Sequence, residues 1–294
     1  MSELTANLLS IVILLSGMGV VLLVMFVMLK HRDKTVRLPI DREQLTRIPA
    51  LGLQNKIQDL QFDVVSALLM AVIVVCFPFA YLGVKAHLTT GTFPWLFSLF
   101  IVIGLTYSGY RTWKGFSQLF KFRLGHTAEL ATASELIGLQ ALGYQVFHDV
   151  QADGFNIDHL VVGQNGVFAI ETKGRHKRTQ DKKNGGKDYQ LFFKDNRLVF
   201  PSWIEIKPLE QAKRQAKWVG EWLTKSVGQP ITPLPVLVFP GWYVTSQSNP
   251  PFPIMSHKQL AKTIPNLRTQ IFTQDQVNAI VYQVAQRCLS SDTK

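Results

Sequence analysis

Long uncharged apolar runs fill the first third of the chain, and shorter alternating patterns fill the rest. Residues 8–29, 64–84 and 88–110 form runs of 22, 21 and 23 residues without a charged side chain. A helix needs roughly 20 apolar residues to cross the hydrocarbon core of a bilayer. The pattern therefore predicts three transmembrane helices within a membrane anchor at 1–110, and only residues 85–87 separate the last two.

The basic residues that flank these runs predict the orientation of the anchor. Glu3 is the only charged side chain before the first run, whereas four basic residues follow the first run closely and four follow the third. They are Lys30, Arg32, Lys34 and Arg37, then Arg111, Lys114, Lys121 and Arg123. Loops rich in Lys and Arg stay in the cytoplasm. We expect an integral protein of the bacterial inner (cell) membrane, with its N-terminus outside and the loop 30–63 in the cytoplasm.

The hydrophobic period changes after residue 110. Residues 111–124 interleave aromatic and basic side chains, which is typical of a juxtamembrane segment at the bilayer surface. Residues 125–294 then alternate helical and strand periods, which predicts a compact α/β domain in the cytoplasm. Its predicted elements are a helix at 127–141, strands at 144–150, 156–164 and 167–173, strand pieces at 189–193 and 197–200, a helix at 208–224, a strand at 236–239 and a last helix after a Thr273–Gln276 capping box.

The hairpin around Asn165-Gly166 combines this pattern with unusual chemistry. Asn-Gly between two β-rich runs favours a two-residue turn, which would pair Gln164 with Val167 and place Asp158 opposite Lys173. Because strand side chains alternate, Asp158, Glu171 and Lys173 share one face. Three charged groups on an apolar hairpin cost desolvation energy unless a ligand or a cross-strand ion-pair ladder uses them. Both interpretations are open at this point.

Charge and cysteine content limit the functional classes. The net charge is +11, and residues 111–294 carry 23 Lys and Arg against 14 Asp and Glu. A basic domain beside a membrane suits either nucleic acid or anionic lipid as a partner. Cys76 and Cys288 are too few and too far apart for a disulfide framework or a zinc site.

A basic loop follows the hairpin directly. Besides Lys173, it contains Arg175, Lys177, Arg178, Lys182, Lys183 and Lys187. Such a loop can follow a phosphate backbone, so these six residues are candidate nucleic-acid contacts. A solvated loop and a contact with anionic lipid are the two alternatives.

The carboxylates of the hairpin suit phosphodiester hydrolysis. That reaction needs an activated water and positive charge facing the developing phosphorane oxygens. Magnesium prefers oxygen ligands and commonly takes only one or two protein carboxylates, which Asp158 and Glu171 can supply. Glu129 lies on a helical stripe with Ala133 and can face the sheet or remain an exposed charge. Gln211 on the later helix can position water or phosphate, or lie in solvent.

At these residues the chain resembles the PD-(D/E)xK nuclease superfamily and, within it, the nuclease-related domain family called NERD. The resemblance covers residues 122–242 and leaves out the apolar runs. It rests on Gly125-His126-Thr127-Ala128-Glu129, on Ile157-Asp158-His159, on Gly166-Val167-Phe168-Ala169-Ile170-Glu171-Thr172-Lys173 and on Pro208-Leu209-Glu210-Gln211. One departure is Ala128, since the first family motif has Gly before its glutamate.

The resemblance implies a restriction-endonuclease-like fold, a mixed central sheet flanked by helices. It implies Asp158 and Glu171 as ligands of Mg²⁺ or Mn²⁺, with Lys173 catalytic and Glu129 and Gln211 in the same site. The expected protein is a membrane-anchored nuclease acting on cytoplasmic nucleic acid, DNA before RNA. The alternative is an inactive scaffold of the same fold that binds nucleic acid or a protein at the membrane. The oligomeric state does not follow from the sequence.

Overall fold

The computed structural model describes residues 47–88, 95–183 and 187–289, with isolated helical residues between positions 5 and 31. Of residues 84–88, 95–97, 182 and 183 it describes the backbone alone. The chain divides into two compact units, Met1–Asp41 with Gln58–Leu119, and Arg42–Ile57 with Phe120–Lys294. The second unit thus includes residues 47–57, which we predicted as part of a loop.

Two long helices dominate the first half of the described chain, α1 at Leu51–Leu88 and α2 at Trp95–Ala141. We predicted a helix start at Thr127, but α2 continues through Gly125 without a break. A lone glycine costs a helix only about 1 kcal/mol. At Gly125 a side chain would also come within 3.3 Å of Leu53, so close packing compensates for that cost.

One stretch of the described residues, Leu51–Gly83, is long and apolar enough to cross a membrane. It contains nearly all of the predicted span 64–84. The predicted span 8–29 lies almost entirely outside the described residues. The predicted span 88–110 lies partly outside them, and its described part does not meet the same test of length and composition. The described structure therefore supports one candidate span and leaves the other two as predictions.

Within the first unit, α1 and α2 pack closely through small residues. A side chain added at Gly104 would overlap Val74, and one at Gly115 would overlap Val64. The Ser108 hydroxyl donates a hydrogen bond to the main-chain carbonyl of Ala67. A close backbone approach of this kind is typical of helix pairs packed in a bilayer.

The second unit is built on a five-stranded mixed sheet; the resemblance implies a mixed central sheet but not its number of strands. Its strand order is β1-β2-β3-β7-β9. The first three strands are antiparallel, and β3, β7 and β9 are parallel neighbours. The strands are β1 Gln145–Gln151, β2 Asn156–Gly163, β3 Gly166–Thr172, β7 Leu234–Val238 and β9 Ile254–Met255.

A second, four-stranded sheet has the order β6-β5-β4-β8 and was not predicted as a separate sheet. Its strands are β4 Gln190–Lys194, β5 Arg197–Val199, β6 Ile204–Glu205 and β8 Tyr243–Ser246. The remaining helices are α3 Thr179–Lys183, α4 Lys207–Val227, α5 Leu260–Thr263 and α6 Gln274–Leu289, with 3₁₀ turns at His257–Gln259 and Ile264–Asn266. The predicted capping box is present before α6, because the Gln276 amide donates to Thr273 Oγ1 and the Thr273 amide donates to Gln276 Oε1.

Helices cover both faces of the five-stranded sheet. On one face, Leu160 and Val167 pack against α4 and α6 through side chains such as Val219 and Ile280. On the other, Val161, Phe168 and Ile170 pack against Leu136 and Leu139 of α2 and against Leu260 and Ile264. The alternation along β2 and β3 therefore places Asp158 and Glu171 on the α4 face.

The hairpin turn differs from the predicted one. Gly163 pairs with Gly166, so Gln164 and Asn165 form the turn, and the register moves by two residues. Its continuation places Asp158 opposite Glu171 instead of Lys173. Long-range contacts select this turn: Asn165 Nδ2 donates to the carbonyls of Ile264 and Leu267 at 2.8 and 2.7 Å. The shift is even, so the predicted faces are unchanged.

Candidate active site

Glu171 is the buried centre of the site. It lies on β3, the middle strand of the five-stranded sheet, and is 1% exposed. Its Oε1 accepts a hydrogen bond of 2.7 Å from Gln211 Nε2 and forms a salt bridge with Lys173 Nζ. Its Oε2 is buried and has no hydrogen-bond partner among the described residues. A buried carboxylate oxygen without a partner is costly, so this atom is placed to accept a donor or a cation.

Strand geometry and one helix start bring these three side chains together. Lys173 follows β3 directly, two residues after Glu171, and its amide donates to the carbonyl of Val238 at 2.8 Å. Gln211 lies in the first turns of α4, where Pro208 occupies a favourable early position. Gln215, one turn later, is buried and donates instead to the carbonyl of Asn156 at 3.2 Å. Gln211 is therefore the glutamine that reaches the carboxylate.

Asp158 and Glu129 bring two more carboxylates to Glu171. Asp158 Oδ2 accepts a hydrogen bond of 2.7 Å from the Thr172 amide. Burial raises the pKa of Asp158 well above its usual range, and the charges of Glu171 and Glu129 raise it further. Burial, followed by the charges of Asp149 and Glu171, raises the pKa of Glu129 to about 8. Neighbouring negative charge thus adds to burial in disfavouring the ionised forms of Asp158 and Glu129.

Two clefts give access to the cluster. Glu129 and Asp158 line a cleft of about 380 Å³, together with Asp149, Asn156, Gly52 and Lys56. Lys173 and Gln211 line another of about 630 Å³, together with Arg175, Glu205 and Lys207. Glu171 lines neither cleft, but it bonds both residues of the second one. Substrate in either cleft would therefore lie beside a residue of the cluster.

The donor set fits a divalent cation. Asp158 and Glu171 offer hard oxygen atoms, Glu171 Oε2 has no hydrogen-bond partner in the described part of the chain, and a cation would reduce the repulsion that raises the pKa of Asp158. In the described ranges no group of three or more His, Cys, Asp or Glu side chains forms a metal-binding cluster. A site with two protein carboxylates, as predicted, is compatible with that finding because magnesium keeps several waters.

The described part of the basic loop is held largely by protein contacts. Arg175 makes a two-fold hydrogen-bonded ion pair with Glu205, at 2.8 and 2.7 Å. The Arg178 guanidinium lies 4.6 Å from the ring centre of Trp203, and Lys177 Nζ lies 5.8 Å from that of Trp242. Burial opposes ionisation of Glu205, but hydrogen bonds from Arg175 and Trp203 outweigh it and lower the pKa of Glu205.

These contacts separate the predicted nucleic-acid residues into groups. Arg175 is committed to Glu205, whereas Lys177 and Arg178 are exposed above aromatic rings and Lys187 is exposed. The side chains of Lys182 and Lys183 lie outside the described residues. A role in nucleic-acid binding stays a prediction for all six.

His159 follows Asp158 on β2, so its side chain lies on the opposite face of the strand. It is fully buried there, with its Nδ1 2.8 Å from His148 Nδ1.

Asp149 and Lys56 line the site although the sequence did not single them out. Asp149 is buried in β1, with φ at +50°, in the left-handed region that non-glycine residues seldom occupy. Its position two residues after Phe147, on the apolar face of a strand, is a sequence signal that could have identified it. Lys56 had no such signal, because its segment precedes the domain by about 70 residues of helix and apolar sequence.

Comparison with known proteins identifies the segment that carries the cluster. Residues 124–240 match the family model of the nuclease-related domain, NERD. Glu129, Asp158, Glu171, Lys173 and Gln211 all lie inside this match, and the predicted resemblance to the nuclease-related domain is confirmed over it. No curated protein and no solved structure matches the chain.

Proposed function

Because residues 124–240 match the nuclease-related domain, we propose that the chain is a membrane-anchored, metal-dependent nuclease. Its substrate is cytoplasmic nucleic acid, DNA before RNA, and it hydrolyses phosphodiester bonds with Mg²⁺ or Mn²⁺. The observation that carries the proposal is the state of Glu171. This buried carboxylate is bonded to Lys173 and Gln211, adjoins two further carboxylates and, among the residues that the structure describes, keeps one oxygen without a hydrogen-bond partner.

Asp158 and Glu171 would hold a divalent cation, which would supply a lowered pKa for bound water and positive charge beside the developing phosphorane. The side chains of the chain prepare that place. Gln211 fixes Glu171 by donating to its Oε1, and the Thr172 amide fixes Asp158. With one oxygen of each carboxylate held in this way, less reorganisation would be needed when a cation binds.

Lys173 is the residue that can act on the reacting phosphate. Its side chain is 20% exposed and lines a cleft, so its ammonium reaches both Glu171 and solvent. From there it can hold the attacking water or stabilise charge on a phosphoryl oxygen. Glu129 has a pKa of about 8, so without a cation it holds a proton at neutral pH and lines the Asp158 cleft in that form.

The membrane anchor is the second part of the proposal. Three spans, with the N-terminus outside and the nuclease-related domain in the cytoplasm, are supported by the apolar runs and by their basic flanks. Large apolar side chains of α1, including Val65, Leu69, Val72, Ile73 and Phe79, are exposed in the described structure. A lipid environment would cover them.

The test uses the full chain purified in detergent micelles. Plasmid, linear duplex, single-stranded DNA and RNA are incubated with Mg²⁺, Mn²⁺ or EDTA. We expect products that require the metal and fall at least about 100-fold in Lys173→Ala, since a catalytic proton-transfer or charge-stabilising group is worth that much. Lys217→Ala is the matched control, because Lys217 is 78% exposed on α4.

The outcomes separate the two functional classes. Metal-dependent products that disappear in Lys173→Ala and Asp158→Ala support the nuclease. Salt-sensitive binding of nucleic acid without products under any divalent ion would contradict it and favour the scaffold. Equal cleavage by wild type and Lys173→Ala would contradict the assigned role of Lys173.

A further inference from the structure

The segment that leads into α1 is fixed to the nuclease-related unit by a buried ion pair. Arg47 donates to Asp149 Oδ2 through Nη2 at 2.6 Å and Nε at 3.1 Å. The Gly52 amide donates to the same oxygen at 3.1 Å, and Asn156 Nδ2 donates to Oδ1 at 2.8 Å. The side chains of Arg47 and Asp149 are 10% and 6% exposed. This network attaches residues 47–52 to β1 and β2.

Close packing adds to the attachment. A side chain at Gly52 would come within 3.0 Å of Asn156 Nδ2, so the helix backbone approaches β2 as closely as a glycine permits. Ala50 is fully buried and has φ at +59°, in the left-handed region. A non-glycine residue keeps such a conformation only where its surroundings fix it. The first turn of α1 is therefore held in one position against the sheet.

Lys56 lies one helical turn after Gly52, on the same side of α1. It lines the cleft of about 380 Å³ with Glu129 and Asp158, and it is exposed there. Among the described residues no carboxylate lies within ion-pair distance of it. Lys173, the other lysine of the cluster, is already paired with Glu171. Lys56 is thus the cation of this cleft that remains available to an incoming anion.

We propose that Lys56 binds a phosphate oxygen of the nucleic-acid backbone in the cleft beside Asp158 and Glu129. The inference rests on the proposed function and adds a substrate-positioning residue from outside the matched segment 124–240. A polyanion that approaches three carboxylates needs positive charge on the approach side. Lys56 supplies it from α1, the helix that also contains the candidate membrane span. The substrate cleft is therefore incomplete without the segment 47–57.

The experiment measures binding and cleavage separately in the full chain in neutral detergent. A fluorescent duplex oligonucleotide is titrated over a range of salt concentrations, in a Lys173→Ala background and, as a second condition, in EDTA. For Lys56→Met we expect about tenfold weaker binding. The slope of log K against log salt should fall by about 0.9, the value for one lost phosphate contact on duplex DNA. Lys56→Arg should restore both, and Lys217→Met should change neither.

In the cleavage assay, with Lys173 intact, Lys56→Met should raise KM about tenfold and change kcat little, because the lysine positions substrate and does not touch the reacting atoms. The melting temperature should stay close to the wild-type value, since Lys56 forms no ion pair with any described residue and acts on Glu129 only by lowering its pKa, after larger contributions. An unchanged salt slope and KM would overturn the inference. So would unchanged oligonucleotide binding together with weakened binding of anionic phospholipid micelles, which would assign Lys56 to lipid. Absence of cleavage by wild type would contradict the proposed function alone, because the binding arm still decides the role of Lys56.

Discussion

Replacing Glu129 by glutamine should stabilise the metal-free protein at alkaline pH and not at acidic pH. The pKa of Glu129 is 4.5 in an unfolded chain and about 8 in the folded protein. Well below pH 4.5, both states hold the proton. Between pH 4.5 and 8 the unfolded state loses it while the folded state keeps it, so the free energy of unfolding falls as pH rises. Above pH 8 the loss is complete. Glutamine is neutral at every pH, so the variant does not lose this part of its free energy of unfolding.

The magnitude follows from the pKa difference. Moving the pKa of Glu129 from 4.5 to about 8 corresponds to roughly 5 kcal/mol, at about 1.4 kcal/mol for each pH unit. Solvent in the cleft reduces both the burial penalty and the repulsion by Asp149 and Glu171 that raise this pKa, so we expect about 2 kcal/mol in the variant. For a unit of this size that is a rise in melting temperature of about 4–8 °C.

The assay is thermal unfolding of the full chain in detergent with EDTA, followed by tryptophan fluorescence at pH 5 and pH 8.5. Glu129→Gln should exceed wild type far more at pH 8.5 than at pH 5, where only a small part of the loss has developed. Added Mg²⁺ should reduce the difference, because a cation relieves the same repulsion. Glu221→Gln, at a residue 59% exposed on α4, should show no pH trend. A Glu129→Gln difference that is equal at both pH values would refute the raised pKa of Glu129 in the folded protein.

Two further predictions concern the fold around the site. Arg47→Met should lower the free energy of unfolding by about 3 kcal/mol, because it leaves the buried charge of Asp149 without its cation. Arg268→Met, at an exposed position, is the control. Equal melting temperatures for wild type and Arg47→Met would contradict a stabilising Arg47–Asp149 ion pair. Burial lowers the pKa of His148, and burial followed by the charge of His148 lowers that of His159 further, so below pH 6.5 the unfolded state takes up protons that the folded state refuses. Below pH 6.5, the free energy of unfolding of wild type should therefore fall by up to about 1.4 kcal/mol more per pH unit than that of His159→Phe. Denaturation midpoints of the two proteins that change in parallel from pH 5 to 8 would contradict this expectation.

Local chemistry made much of this unit predictable from the sequence. Alternation along the hairpin places Asp158 and Glu171 on one face whatever the register, provided the shift is even. The proline at the start of α4 and the apolar stripe behind it predict where Gln211 emerges. Both features depend on periods of two and 3.6 residues, which the sequence displays directly.

The remaining features depend on contacts distant in sequence. Asn165 adopts its turn because carbonyls about 100 residues later accept from its amide, and no local pattern reports that. Asp149 pairs with Arg47 across 102 positions, which brings Lys56 into the cleft. The strands of the second sheet are short, down to two residues at Ile204–Glu205, and runs of that length carry no period. Asp195 and Asn196 both have left-handed φ, as the two central residues of a type I′ turn require. The sequence instead favoured a two-residue turn at Asn165-Gly166.

The proposed function depends on Asp158 and Glu171 as the residues that hold the cation for phosphodiester hydrolysis. The most direct measurement is the single-turnover rate of strand cleavage by the full chain as a function of Mg²⁺ concentration, for wild type, Asp158→Asn and Glu171→Gln. We expect no cleavage in EDTA and a wild-type cleavage rate that rises with Mg²⁺ concentration and then saturates. At saturating Mg²⁺, both variants should cleave at least about 100-fold more slowly than wild type. Cleavage that persists in EDTA, or that proceeds at the wild-type rate in either variant, would contradict this expectation.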